Sequence, residues 1–120
     1  MTLEKLVPPI DLCKHIPTGE FADSCFVRCF DDIGTVILCE RENEVKTEGW
    51  HTIPAPTLDE ILDELHKCQE DVFIKWSETA YHEWLVNAYS HNKDDFQAHD
   101  KNSATAALKV WLKLKGIEND

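Results

Sequence analysis

Apolar residues recur along this chain at two periods, and the changes between them mark out the elements. Ile10, Cys13 and Ile16 stand at helical spacing with Leu12 beside them, which predicts a short helix within residues 7–17. Pro8 and Pro9 suit its opening turn, where a missing N–H costs nothing, and Pro17 disfavours helical geometry at Ile16. Residues 24–30 and 35–39 are aromatic and β-branched runs around Asp31, Asp32, Ile33 and Gly34, the pattern of a hairpin. With Asp32, Ile33 and Gly34 as the loop, Phe30 faces Val36 and Val27 faces Cys39. One face then carries Cys25, Val27, Cys29, Ile37 and Cys39 and is expected to point to the core, with Arg28 and Glu40 on the other.

A charged excursion at 40–46 returns through Gly49, Trp50 and His51 towards Ile53 and Pro54. Thr57 and Glu60 then form a capping box ahead of a Leu58, Ile61, Leu62, Leu65 stripe, which predicts a helix over 58–68. Residues 72–76 predict a strand. Residues 81–89 fit a helix through Trp84, Leu85, Ala88 and Tyr89, and fit a strand through the alternation of Trp84, Val86 and Ala88 with Leu85, Asn87 and Tyr89. Aromatic content and a neighbouring strand in need of a partner favour the strand. A further short strand is expected at 96–99. Asn102 or Ser103 caps a last helix built on Ala104, Ala107, Leu108, Trp111 and Leu112. Gly116 ends that helix, and Ile117 folds back on Leu112. The order is helix, hairpin, helix, strand pair, helix. It predicts a single α+β domain over residues 1–120, with two antiparallel strand pairs covered by two or three helices.

Charge narrows what such a domain can bind. Twenty-three acidic residues face twelve basic ones, a net charge of −11. Phosphate backbones and anionic lipid surfaces attract basic chains, so direct nucleic-acid binding and membrane association are disfavoured. Lys109, Lys113 and Lys115 could gather on one side of the last helix, but three cations are few. Acidity suits solubility and attraction to a basic partner protein. No apolar run approaches the roughly 20 residues of a membrane span, and the first residues lack the pattern of a signal peptide, so a cytoplasmic location is expected. The five cysteines, an odd number without paired short spacings, are then expected to be reduced thiols.

The run Ile53, Pro54, Ala55, Pro56, Thr57, Leu58, Asp59, Glu60, Ile61, Leu62 and the later Ala104, Thr105, Ala106, Ala107, Leu108, Lys109, Val110, Trp111, Leu112 resemble short uncharacterised proteins of phages and prophages of gut bacteria. Ile10, Asp11, Leu12, Cys13, Lys14 and the pair Phe26, Val27 fit the same layout. These signatures are helix caps and core stripes. The resemblance implies a phage-derived product working in the bacterial cytoplasm and brings no activity or site with it.

Chemistry has few places to sit. No nucleophile elbow, phosphate-cradling glycine loop or H-E-x-x-H is present. Cys25 and Cys29 on one strand lie roughly 13 Å apart, too far to share a metal. The stretch His91, Asp94, Asp95, His99 and Asp100 has nitrogen and oxygen donors for a loop metal site, against the simpler reading of a solvated turn. No cofactor is expected. Asp59, Glu60, Asp63 and Glu64 should form the solvated face of the second helix, with Glu60 also serving its cap. Trp111 and Trp76 are expected in the core, while Trp50 and Trp84 are candidates for an interface, where tryptophan serves as an anchor. The function expected is an accessory, phage- or prophage-derived protein that binds a basic host or phage protein through Asp59, Asp63, Glu64, Trp50 and Trp84. A small metal- or thiol-dependent enzyme is the alternative.

Overall fold

The computed structural model describes residues 5–68, 71–77, 82–90 and 93–117. In chain order the elements are α1 (Ile10–Cys13), β1 (Phe26–Phe30), β2 (Val36–Glu40), a 3-10 turn (Arg41–Asn43), β3 (His51–Pro54), α2 (Leu58–Cys68), β4 (Asp71–Ser77), β5 (Glu83–Ser90), β6 (Lys93–Asp100) and α3 (Ser103–Leu114). The fold is α+β, a single domain with two antiparallel sheets of three strands, ordered β2-β1-β3 and β4-β5-β6, and three helices.

The hairpin takes the register its pattern predicts, with Phe30 opposite Val36 and Val27 opposite Cys39. Asp31 fixes the turn by accepting the N–H groups of Ile33 and Thr35 on Oδ1 at 3.1 and 2.8 Å. Gly34 has φ +99°, a value that an L side chain rarely adopts, so only glycine closes this loop without strain. Each expected strand pair carries a third strand. β3 adds to β1, and β6 adds to β5 over the whole of Lys93–Asp100 instead of a short piece at 96–99. The stretch read as a polar loop is therefore largely a strand, whose alternation is short because Phe96 and Ala98 are the only apolar residues in its inward phase, with Asp at 94 and 100.

The core lies between α3 and the second sheet. Ala104, Ala106, Ala107 and Leu108 are buried on α3, and Val86, Ala88 and Ala98 are buried on the sheet beneath it. Small side chains on both surfaces let the helix lie close to the strands, so packing density comes from short contact distances. Trp111 is 1% exposed and packs against Phe21 with ring centroids 4.9 Å apart. Ile61 and Leu65 bring α2 into the same core. Both ends of α3 are closed. Asn102 Oδ1 accepts the Thr105 N–H at 3.0 Å, and the Gly116 and Ile117 N–H groups donate to Lys113 and Leu112 carbonyls at 3.0 and 2.9 Å.

One expectation about the core holds in part and another fails: on the cysteine face Val27 and Cys29 are fully buried and Cys39 is half-buried. Arg28 is buried (2% exposed) and its Nη2 donates to the Pro8 carbonyl at 2.7 Å, whereas Cys25 and Ile37 on the cysteine face are exposed. The reason is that β1 is a central strand covered on both sides. The incoming N-terminal segment lies against Arg28, and the 41–50 excursion lies against Cys29, whose sulfur receives the Val45 N–H at 3.3 Å. Trp76 is not a core residue. It sits near the end of an edge strand, 42% exposed, with its ring 5.4 Å from that of Trp84. The ambiguous stretch is strand β5 from Glu83 onward, because β4 and β6 pair with it on both edges; Tyr81 lies outside the described residues.

Candidate interaction site

The capping box of α2 does more than start a helix. Glu60 Oε1 accepts the Thr57 N–H at 2.8 Å, while Thr57 Oγ1 lies 3.4 Å from the Glu60 N–H. The other carboxylate oxygen, Oε2, accepts the Cys25 N–H at 2.9 Å, which ties the first turn of α2 to the start of β1. This tether brings the 19–24 turn alongside α2, and a groove of about 330 Å³ opens between them.

Five of the ten residues that line the groove are acidic. Glu20 and Asp23 come from the turn, and Glu60, Asp63 and Glu64 come from α2, with Lys67 the one cation among its lining residues. Lys67 is paired with Glu64 at 3.2 Å. Sequence-distant carboxylates thus converge on one concave surface, where their potentials add. Chemically, such a surface can receive lysine or arginine side chains.

Of the predicted interface residues, Asp63 and Glu64 line this groove. Asp59 is exposed on α2 but is not among the lining residues. Trp50 lies just before β3 and Trp84 on β5; both are half-buried, and neither lines the groove. Glu20 and Asp23 escaped the sequence reading because no helical or strand period links them to α2. Only the Pro17 and Gly19 turn, which sends the chain back past that helix, signals their position.

Among the described residues, the predicted metal donors do not converge. Asp95 and His99 are outward positions of β6, and His99 Nδ1 hydrogen-bonds Glu83 on β5. Asp100 instead accepts from Lys109 Nζ at 3.1 Å. His91 and the Asp94 side chain lie outside what is described. Among the described residues, no group of three or more His, Cys, Asp or Glu is placed to hold a metal ion.

Two thiols approach each other beneath the 41–50 excursion. Cys29 and Cys39 are diagonal neighbours across β1 and β2, and Cys39 Sγ lies 3.6 Å from the Asn43 carbonyl. Burial first, and the neighbouring Cys29 next, push the Cys39 thiol above its ordinary value of 9.0. A nucleophilic cysteine needs the opposite shift.

Lys109 and Lys113 of α3 and Lys115 at its C-cap each have a partner within the chain. Lys109 pairs with Asp100, Lys113 Nζ donates to the Gln97 carbonyl at 2.8 Å, and Lys115 lies over the Trp111 ring, 5.7 Å from its centroid. They do not form an open basic patch. No helix among the described residues is long and apolar enough to cross a membrane. No family model, curated protein or solved structure matches this chain.

Proposed function

We propose that this protein acts by binding a basic partner protein in the groove between α2 and the 19–24 turn, as a phage- or prophage-derived accessory factor. The observation that carries the reading is the convergence of Glu20, Asp23, Asp63 and Glu64 on one concave surface with a single lysine. A solvated helix face would satisfy the solubility role of α2 alone. It gives no reason for a second acidic segment to be held against it by the Glu60 tether to Cys25. A lysine- or arginine-rich segment laid in the groove would meet carboxylates from both walls, and the net charge of −11 would speed its approach.

Salt dependence is the first test. Binding of a fluorescent lysine/arginine-rich peptide, followed by anisotropy, is expected to weaken about tenfold or more between low and physiological salt, because the groove is open to solvent and its charges are screened. Affinity that does not change with salt would point away from carboxylate recognition.

A further inference from the structure

Cys29 and Cys39 stand on one face of the first sheet, diagonal to each other across β1 and β2, with their thiols near enough to interact. The chain after β2 passes over them. Cys29 Sγ receives the Val45 N–H at 3.3 Å and lies 3.7 Å from Thr52 Oγ1 on β3, while Cys39 Sγ donates to the Asn43 carbonyl at 3.6 Å. Cys29 is fully buried, and half-buried Cys39 opens the pair to solvent. None of Cys29, Cys39, Val45 and Thr52 lines the acidic groove.

We propose that this pair holds one soft monovalent metal ion, copper(I) by its chemistry, between Cys29 Sγ and Cys39 Sγ. Donor type selects the ion, because thiolates favour copper(I) over hard cations. Donor number narrows it further. A structural zinc site is closed by four ligands, and among the described residues no group of three or more His, Cys, Asp or Glu is placed to hold a metal. Two thiolates in line suffice for copper(I). Spacing agrees: diagonal neighbours have Cα atoms about 7–8 Å apart, wider than the roughly 7 Å limit of a disulfide. Thiolate–metal bonds of about 2.3 Å, taking zinc as the guide, let one ion bridge sulfurs about 4.6 Å apart.

Binding is an exchange of protons for the ion. Each S–H bond breaks, each sulfur forms a bond to the metal, and both protons leave to solvent with no change of oxidation state. Burial, and then the neighbouring Cys29, disfavour a lone thiolate at Cys39. A shared cation offsets both, since the pair then carries one negative charge instead of two. The Val45 N–H already points at the Cys29 sulfur, and the Thr52 hydroxyl is placed to donate to it as well. Such outer hydrogen bonds steady a metal-bound thiolate.

Competition for copper(I) between the full chain and a chromogenic copper(I) chelator, run anaerobically with ascorbate, tests this assignment. A double variant, Cys25→Ser with Cys68→Ser, removes two thiols outside the pair and should hold one ion as tightly as the wild type. Adding Cys39→Ser leaves one thiolate at the site and should weaken binding about 100-fold or more. A second measurement needs no substitution. One equivalent of copper(I) should slow alkylation of Cys39 in the wild type, located by mass spectrometry, about tenfold or more, while exposed Cys25 changes less than about twofold. Binding lost in the double variant, binding indifferent to Cys39→Ser, or Cys39 alkylated as fast with the ion as without it would each overturn the assignment.

Discussion

At the residue scale, the two tryptophans expected in the core part company. Trp111 is 1% exposed against Phe21, whereas Trp76 is 42% exposed near a strand end. Trp111→Ala should cost about 3–5 kcal/mol and Trp76→Ala no more than about 2 kcal/mol. Denaturant midpoints of the two variants against wild type check the order, and equal losses would contradict the packing described. Trp111 was legible because helical spacing ties it to Ala104, Ala107, Leu108 and Leu112. Trp76 was not, because alternation assigns it to the inward side of β4 without revealing that the core runs out beneath it. Arg28 illustrates the same limit. A charged side chain in a strand reads as solvent-facing, and only the fold supplies the Pro8 carbonyl that lets it be buried.

At the scale of elements, the signals that survived are local ones. The Thr57 and Glu60 box, the hairpin register and the closing turn of α3 each depend on residues within a few positions of one another, so the sequence shows them directly. β3 and the full length of β6 were missed because what makes them strands is a neighbour distant in the chain or an edge that needs pairing. His51–Pro54 alone has no alternation, and it becomes a strand by pairing with β1. The Glu60 carboxylate joins both kinds of information, serving the local cap and the distant Cys25 N–H. Glu60→Ala should therefore cost about 2 kcal/mol, more than the roughly 1 kcal/mol expected for Thr57→Ala. Thermal or urea unfolding of the two variants decides between a cap alone, which would make the losses equal, and a cap joined to a tether.

At the scale of the whole molecule, acidity acquires a location. Half of the groove was legible, since the leucine stripe of α2 turns Asp63 and Glu64 outward. The other half was not, since Glu20 and Asp23 reach α2 only through the turn after α1. On the proposed function, the groove, and not net charge as such, recognises a basic partner. The direct measurement is the affinity of a lysine/arginine-rich peptide for two variants that each lose three charges. One removes groove carboxylates by Glu20→Gln, Asp23→Asn and Asp63→Asn, leaving Glu60 to its cap. The other removes exposed carboxylates elsewhere by Glu40→Gln, Glu42→Gln and Glu48→Gln. Binding should fall about tenfold or more for the groove variant and less than about threefold for its matched control, since only the first loses direct contacts. Equal losses in the two would show that the peptide senses overall charge, and would contradict the account.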